Sequence, residues 1–260
     1  MSPDAVSPDP VPPLRATEKL ALTFRFARRG RGFWFSLAID LLWPWLAGFT
    51  RLGWRGGEHL PAGGFLLAVN HLSFADPIVD TAFVLAHRRV PRYLAKAELW
   101  QVPVVRRVLA GGGHIPVYRG GSNAADAYRD AVAAVRRGEC VVFYPEGTYT
   151  RHPEGWPMRG LNGVARVALE SGRPVVPVAQ WGNQRLLPPG AAWPRLLPRQ
   201  AVRVLAGPPV DLSRFEDAPL TRQNLNAATA EIMRAITALL GELRREAPPP
   251  PRGEAPPPPR

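Results

Sequence analysis

A short apolar run that ends in an Asn-His pair constrains the fold of this chain more than any other stretch. Residues 65–69 are all apolar and follow a glycine, which is the pattern of a buried strand. Pro77 then opens a stretch of helically spaced apolar residues, and helices favour Pro at their first position and Asp at the cap before it. The pattern predicts His71 on a loop that leaves a strand, and Asp76 at the cap of a helix over roughly 77–87.

The His71 and Asp76 pair has a catalytic and a structural interpretation. On one continuous helix, a separation of five residues corresponds to about 140° of rotation, so the two side chains would not share a face. A loop that bends between strand and helix can bring them together. An imidazole oriented by a carboxylate is the pair needed to deprotonate a hydroxyl during acyl transfer. In the structural alternative, Asp76 only caps the helix and His71 is an ordinary loop residue.

The rest of the chain alternates predicted strands with predicted helices, which indicates an α/β domain. Further strands are predicted at 91–96, 114–118, 141–144, 175–179 and 201–205. Further helices are predicted at 123–137, 162–171 and 221–245, with a short helix or loop at 98–109. The Gly-rich stretch from residue 53 to 64 is predicted to form turns.

The most apolar segment, residues 33–49, holds three of the eight tryptophans and lies between Arg31 and Arg51. A membrane-spanning helix needs about 20 apolar residues, and this run is shorter and contains Asp40 and Pro44. A secretory signal is disfavoured because no small-residue cleavage site follows the run. A pair of interfacial helices, with Trp and Arg at the level of the lipid headgroups, fits best. Ordinary core packing is the remaining alternative.

The composition divides the chain into four parts. Residues 1–15 and 247–260 are rich in Pro, lack a periodic apolar pattern and are predicted to be disordered. Residues 16–50 are predicted as the membrane-associating helical segment, and 51–246 as one α/β domain. Cys140 is the only cysteine, so there is no disulfide framework and no thiol metal site, which fits a reducing compartment.

The net charge of +12 favours anionic partners, namely nucleic acid, phosphorylated small molecules or an anionic membrane surface. Nucleic acid is disfavoured because the chain has no helix-turn-helix pattern, aromatic RNA-binding signature or zinc spacing. A metal centre is not predicted either, since no metal-ligand spacing such as His-Glu-x-x-His occurs. The histidines concerned are His59, His71, His87, His114 and His152.

Three stretches downstream bear on His71. Residues 115–119 read as a short strand that ends in Arg119, and a guanidinium pairs well with phosphate. Residues 145–148, Pro-Glu-Gly-Thr, again follow a strand, and their glycine lets the backbone approach a ligand closely. Residues 175–178 form an apolar strand suited to lining an acyl channel. Taken singly, the three have ordinary alternatives: a solvated Arg, a turn and a core strand.

Together these stretches resemble the four ordered motifs of the glycerolipid acyltransferases, a family typified by bacterial 1-acyl-sn-glycerol-3-phosphate acyltransferase. Asn70-His71 with Asp76 resembles the first motif. The second, third and fourth are matched by 115–119, 145–148 and 175–178, and the resemblance covers roughly residues 50–210. Two positions depart from the pattern. Tyr149 stands where many members have a basic residue, and Leu161 where a Lys often follows Arg-Gly.

The resemblance implies a mixed central sheet flanked by helices, the glycerolipid acyltransferase fold. It implies that His71 takes the proton from the acceptor hydroxyl while Asp76 holds the imidazole, and that the hydroxyl attacks the thioester of acyl-CoA or acyl-carrier protein. The acceptor would be 1-acyl-glycerol 3-phosphate and the product phosphatidic acid, in phospholipid biosynthesis. The residues implied to bind the substrate are Arg119, Glu146, Gly147, Thr148 and Arg151.

The resemblance also implies partners and a location. We expect no cofactor and no metal, with acyl-CoA or acyl-carrier protein as the co-substrate. We expect a membrane lipid as the acceptor, and a peripheral or monotopic enzyme on the cytoplasmic face of the cell membrane. One alternative is a different acceptor, such as glycerol 3-phosphate, another lysophospholipid or a phosphate-free glycolipid. The other is a basic membrane-binding protein without catalysis.

Overall fold

A central sheet of seven strands organises the structure, a computed structural model that describes residues 9–26, 32–118 and 124–249. In chain order the strands are β1 (Thr50–Arg55), β2 (Phe65–Val69), β3 (Pro91–Lys96), β4 (Ile115–Val117), β5 (Cys140–Phe143), β6 (Val175–Trp181) and β7 (Gln200–Ala206). The α-helices are α1 (Ala16–Arg25), α2 (Phe33–Phe49), α3 (Asp76–Ala86), α4 (Pro103–Gly111), α5 (Ala124–Arg136), α6 (Gly163–Ser171), α7 (Asn183–Leu186) and α8 (Arg222–Arg244).

Five neighbouring strands run parallel, in the order β6-β2-β5-β3-β4. β7 pairs antiparallel with β6, and β1 adds to β7 as a parallel edge strand, which confirms the predicted mixed sheet. β2 and β5 are buried along their whole length, and strands covered on both faces are continuously apolar. The carboxyl ends of the five parallel strands share one edge. In open α/β sheets, ligands bind in the crevice at that edge.

Alternate residues of β2 point into two separate cores. Phe65, Leu67 and Val69 pack into a core shared with α2 and α3. Leu66 and Ala68 pack into a core shared with α5, α6 and α8. This alternation follows from the two-residue period of a strand. The sheet is therefore covered by helices on both faces, as the sequence predicts, and β2 holds the loop that follows it in the centre of the domain.

The edge strand β1 is the main element that the sequence did not predict. Turns were expected from residue 53, but Thr50–Arg55 pairs with β7 and buries Leu52 completely. Glycines within and after this strand hide it, because glycine is depleted in strands. Gly56 ends it with a φ of 83°, and a Cβ at this position would lie 1.9 Å from the backbone oxygen of Ala206. The close approach to β7 therefore requires the glycine.

The stretch at 98–109 also differs in detail from its prediction as one helix or loop. It divides into a 3-10 turn, Ala97–Gln101, and the helix α4. Pro103 sets the division, because its ring and missing N–H are tolerated in the first turn of a helix but not farther along. α4 packs against α2, so this region adds to the helical layer that covers one face of the sheet.

Residues 9–15, predicted as part of a disordered N-terminus, lie along β1. The backbone N–H of Leu14 donates to the oxygen of Leu52 at 2.7 Å, and the side chain of Val11 is fully buried. Asp9 forms an ion pair with Arg203 of β7. In this stretch the structure differs from the prediction, because one buried side chain and backbone hydrogen bonds leave no periodic pattern. Residues 247–249, also predicted to be disordered, belong to no helix or strand, and residues 1–8 and 250–260 lie outside the described residues.

α2 is a continuous helix with Pro44 inside it, and α1 is fastened to it. The ammonium group of Lys19 donates to the oxygens of Ala47 and Thr50 at the end of α2, where a cation is favoured. The residues of α2 that face the core are Phe35, Ile39, Trp43 and Leu46. Among the described residues, no helix has both the length and the apolar character needed to cross a bilayer.

Candidate active site

His71 and Asp76 meet at the carboxyl end of β2. The Nδ1 atom of His71 lies 2.8 Å from Oδ2 of Asp76, whose side chain is completely buried, while the imidazole keeps 16% of its side-chain surface exposed. Asp76 is the first residue of α3, and Ala75 occupies the cap. Because Nδ1 faces the carboxylate, Nε2 is the ring nitrogen that can accept a proton from a substrate hydroxyl.

The loop between the two residues is folded around the carboxylate. Oδ2 of Asp76 accepts hydrogen bonds from the backbone N–H groups of Leu72, at 2.5 Å, and Ser73, at 2.9 Å. The hydroxyl of Ser73 accepts from the N–H of Ala75 and stabilises the last turn before α3. A short Asp side chain that bonds to nearby backbone groups is a common device for closing a tight loop. The same carboxylate therefore shapes the loop and holds the imidazole.

The ring of Tyr144 stacks on the imidazole of His71. The ring centroids are 4.2 Å apart and the planes differ by 18°. The Tyr144 hydroxyl donates to Oδ2 of Asp80, at 2.7 Å, one helical turn after Asp76. Burial raises the pKa of Asp80 well above its usual range, and the nearby Asp76 acts in the same direction. Sequence reasoning missed both residues, although Tyr144 directly precedes the Pro-Glu-Gly-Thr stretch.

Glu146 holds the His71 loop from the side of β5. Its Oε1 accepts from the backbone N–H of His71 at 3.1 Å, and its Oε2 accepts from the N–H of Met158 at 2.9 Å. Burial raises the pKa of Glu146 to about 7, although the two backbone donors act in the opposite direction. The N–H of Thr150 donates to the oxygen of His71 at 2.7 Å, so both backbone polar groups of His71 are held by the 146–150 turn.

Gly147 and Thr148, also predicted as substrate-binding residues, lie on the turn that leaves β5. Gly147 has a φ of 70°, a conformation that favours glycine, and its N–H donates to the oxygen of Tyr144 at 2.9 Å. A Cβ there would also approach the Leu161 side chain to 2.7 Å. Thr148 is half-buried. The turn therefore lies beside the His71 loop, as parallel β2 and β5 require.

Of the two predicted phosphate-binding arginines, only Arg151 lies among the described residues. Arg119 lies outside the described residues. Arg151 is exposed, and its backbone N–H donates to the sulfur of Met158 at 3.4 Å. Lys96, which the sequence analysis did not single out, ends β3 at the same edge of the sheet and is exposed. The one indication in the sequence was that Lys96 is the last residue of the strand predicted at 91–96.

An aromatic pair borders the exposed side of the imidazole. The ring of Tyr149 lies edge-on to His71, with centroids 6.2 Å apart, and edge-on to Phe74, with centroids 5.5 Å apart. Phe74 is 57% exposed, which is high for a Phe beside the hydrogen-bonded pair of His71 and Asp76. The site therefore presents an apolar rim at the position where the resembling family often has a basic residue.

The chain is similar to proteins of known activity. Residues 51–181, half of the chain, match the family model described as Acyltransferase. A chloroplastic 1-acyl-sn-glycerol-3-phosphate acyltransferase of Brassica napus is 26% identical over 62% of this chain and 46% of its own length. A 1-acyl-sn-glycerol-3-phosphate acyltransferase of Borreliella burgdorferi is 30% identical over 54% of each chain. The chain spans about half the length of the curated relatives it matches.

The fold is similar to a solved structure. The crystal structure of the 1-acyl-sn-glycerophosphate acyltransferase of Thermotoga maritima superposes with a TM-score of 0.56 and 22% sequence identity, over 85% of this chain and 79% of that chain. This likeness shows the architecture of the sheet and helices. The stretch matched by the family model contains the His71 loop and the Glu146 turn. By that match over half of its length, the chain belongs to the acyltransferase family.

Proposed function

We propose that this chain transfers a fatty acyl group from a thioester to the free hydroxyl of 1-acyl-glycerol 3-phosphate, giving phosphatidic acid. The hydrogen bond between His71 and Asp76 at the carboxyl edge of the sheet carries the proposal, because it is the arrangement of an oriented general base. The Brassica napus and Borreliella burgdorferi relatives are named 1-acyl-sn-glycerol-3-phosphate acyltransferases, which supports the choice of acceptor. Phospholipid biosynthesis is the proposed pathway.

The mechanism follows from the two ring nitrogens of His71. Nε2 takes the proton from the acceptor hydroxyl, and the hydroxyl oxygen attacks the carbonyl carbon of the thioester. Asp76 stabilises the positive charge that develops on the imidazole, through its bond to Nδ1. When the tetrahedral intermediate collapses, the C–S bond breaks, the proton passes to the departing thiolate, and the new ester is released. Acyl-CoA or acyl-carrier protein serves as the donor, and no acyl-enzyme forms.

The acceptor phosphate is proposed to bind at the carboxyl edge of the sheet. Arg119 and Arg151 are the arginines proposed from the sequence, and the exposed Lys96, which ends β3 at that edge, is a further candidate. Guanidinium and ammonium groups form charge-assisted hydrogen bonds with phosphate oxygens. Glu146, Gly147 and Thr148 shape this pocket by fixing the turn beside His71.

A phosphate-free acceptor is the second candidate, and one contact favours it. Tyr149 packs against Phe74 and the edge of His71, so an aromatic side chain lies where a phosphate-binding cation is common. An apolar rim suits a lysolipid or glycolipid alcohol whose head is held by hydroxyl contacts. The two candidates share the same general base and differ only in the acceptor.

The enzyme is proposed to act as a peripheral protein on the cytoplasmic face of the cell membrane. The large apolar side chains exposed on α1 and α2 are Leu20, Phe24, Phe33, Trp34, Leu37, Leu41, Leu42 and Phe49. So many exposed apolar groups on two joined helices are typical of an interfacial surface, with the helices lying in the plane of the headgroups.

A thioester-release assay tests the proposal. The purified chain is incubated with long-chain acyl-CoA or acyl-carrier protein in liposomes that contain lysophosphatidic acid, glycerol 3-phosphate or monoacylglycerol. We expect release with lysophosphatidic acid that disappears in His71→Ala and persists in His59→Ala, which alters a histidine on a turn after β1. Release with monoacylglycerol alone supports the second candidate. Release that survives His71→Ala refutes the catalytic assignment.

A further inference from the structure

The end of β6 and the helix α7 that follows it hold the His71 loop through side chains that are completely buried. The residues concerned are Asn70 and Ser73 on the loop, Asp76 at the start of α3, Gln180 near the end of β6 and Asn183 at the start of α7. Burying amides and a carboxylate is unfavourable unless their polar atoms are paired.

Asn70 and Gln180 hold each other in one orientation. The Oδ1 atom of Asn70 accepts from the backbone N–H of Gln180 at 2.8 Å, and its Nδ2 donates to the backbone oxygen of Gln180 at 3.1 Å. The side-chain Nε2 of Gln180 donates to the backbone oxygen of Asn70 at 2.9 Å. Since Nε2 is engaged there, the Oε1 of Gln180 is turned toward Asn183.

The orientation of Gln180 determines how the amide of Asn183 bonds to Asp76. Its Nδ2 donates to Oε1 of Gln180 and, at 2.8 Å, to Oδ1 of Asp76. Both of these partners are acceptors, so the opposite orientation of the amide would place oxygen against oxygen. The Oδ1 of Asn183 has no hydrogen-bond partner among the described residues. A buried amide that leaves its own oxygen unpaired in order to donate to Asp76 is a costly arrangement, which calls for an explanation beyond packing.

The two oxygens of Asp76 are therefore held from opposite sides. Oδ2 is bonded to His71 and to the N–H groups of the loop, and Oδ1 to Asn183. Rotation of the carboxylate would break bonds at both oxygens. Ser73 also fastens the loop to the segment after β6, because its hydroxyl donates to the backbone oxygen of Leu187 at 2.5 Å. The segment 180–187 is itself fixed, since Gly182 has a φ of 98° and a Cβ there would lie 1.9 Å from Ala201 O.

We propose that Asn183, oriented by Gln180, is a positioning residue that fixes the carboxylate of Asp76 in line with Nδ1 of His71. The inference rests on the proposed function, in which His71 is the general base. Asn183 touches no reacting atom. It acts by preventing the carboxylate from turning away, so that the imidazole keeps its proton on Nδ1 and offers Nε2 to the acceptor.

Asn183→Asp tests the proposal through a pH signature. The introduced carboxyl is buried beside Asp76, so its pKa is raised and it remains protonated at low pH, where it still donates a hydrogen bond. Once ionised, it repels Asp76. We expect its kcat, relative to the unsubstituted protein at the same pH, to fall about 10- to 100-fold between about pH 6 and about pH 9, as for loss of a hydrogen bond to a charged group. KM should change little.

Gln184→Glu is the matched control. It makes the same change of charge on the same short helix, and it keeps the side-chain oxygen that accepts from the N–H of Gly182. Because that oxygen bonds to Gly182 and not to Asp76, the kcat of this variant relative to the unsubstituted protein should not depend on pH. A purely structural role for Asn183 predicts a loss of activity that is the same at every pH. That result would overturn the proposal.

A second readout does not need turnover. In protein with ¹⁵N-labelled histidine, the Nδ1 proton of His71 should give a downfield resonance that disappears in His71→Ala. We expect Asn183→Ala to shift or broaden it, and Gln184→Glu to leave it unchanged. An unchanged resonance in folded Asn183→Ala refutes the inference, and if that variant fails to fold, the pH ratio of Asn183→Asp decides. A perturbed resonance in a protein inactive on every acceptor rejects the proposed function but keeps the positioning role.

Discussion

The phenol ring of Tyr144 lies nearly parallel to the imidazole of His71, and its hydroxyl donates to the buried carboxyl of Asp80. Tyr144 is therefore fixed at both ends, by a stacked ring on one side and by a hydrogen bond on the other. A stacked neighbour limits rotation of the imidazole about its long axis. Together with the bond from Nδ1 to Asp76, this contact defines both the plane and the direction of the ring.

Substitution of Tyr144 separates its two contacts. Tyr144→Phe keeps the stacked ring but leaves Asp80 without its donor, so we expect nearly normal kcat and a loss of about 1–3 kcal/mol of unfolding free energy. Tyr144→Ala also removes the stack, and we expect kcat to fall about tenfold, in the range of a lost aromatic contact. Denaturant unfolding and steady-state kinetics measure both effects. Undiminished kcat in Tyr144→Ala would contradict the positioning role of the ring.

Asp80→Asn should stabilise the protein, and the gain should depend on pH. The pKa of Asp80 is raised by burial, so above its ordinary value the folded state binds a proton that the unfolded state has released. The contribution of this group to stability therefore falls as the pH rises toward its folded pKa. The amide removes that penalty and still accepts from Tyr144. We expect a higher Tm at about pH 7, with the gain vanishing near pH ~4.

The control for this measurement is Asp130→Asn on the exposed surface of α5. It removes one carboxyl without changing a buried contact, so its Tm difference should be small at both pH values. A gain in Asp80→Asn that is equal at acidic and neutral pH would show that the carboxyl is ionised alike in the folded and unfolded states.

Glu146→Gln should impair catalysis without removing any group that touches the substrate thioester. Both oxygens of Glu146 accept backbone hydrogen bonds, whereas an amide offers one acceptor and turns its nitrogen toward the other donor. We expect kcat to fall about 10- to 100-fold as the His71 loop loosens. The exposed Glu216→Gln is the control. Equal kcat in the two variants would mean that the Glu146 bonds do not hold the loop.

The same variant has a second signature in stability. The pKa of Glu146 is raised to about 7, so in the folded protein the carboxyl holds a proton from its ordinary pKa up to about 7. Stability therefore declines as the pH rises through this window. Glu146→Gln should give a flatter plot of Tm against pH than Glu216→Gln. Parallel plots would contradict the raised pKa.

Membrane binding should depend on the exposed face of α2. Leu41 is 67% exposed and packs in neither core, so Leu41→Gln should leave Tm unchanged. Loss of one inserted Leu corresponds to about 1.5–3 kcal/mol, so we expect sedimentation with phosphatidylcholine–phosphatidylglycerol vesicles to weaken about tenfold or more. Leu220→Gln, before α8 on the opposite face of the sheet, is the control. Equal binding by both variants would exclude α2 as the contact surface.

The sequence predicted those elements whose signal is local. The strands β2 and β5 lie where continuous apolar runs predicted them, because strands buried on both faces need such runs. The loop between β2 and α3 brings His71 to Asp76, as a bend between strand and helix allowed, although Asp76 is the first residue of α3 and not its cap. β1 was missed, because its glycines and its place at the edge leave no strand pattern.

The groups that surround His71 and Asp76 could not be predicted from the sequence. Gln180 and Asn183 are polar residues near the end of β6 and at the start of α7, where solvent exposure is the ordinary expectation. Their burial depends on β6 pairing beside β2, and the bonds to Asn70 join positions 110 residues apart. Tyr144 likewise resembles any aromatic residue near a strand end. Only the assembled sheet distinguishes these residues.

That separation along the chain has a consequence for synthesis. Because Asn70 and Gln180 complete the pairing of β2 with β6, the His71 loop cannot take its final shape on a ribosome until Gln180 has left the exit tunnel. A nascent chain that ends before β6 carries His71, Asp76 and Glu146 but has no partner for Oδ1 of Asp76. Incomplete chains are therefore expected to lack acyl-transfer activity. We expect the activity to appear only after β6 has paired with β2.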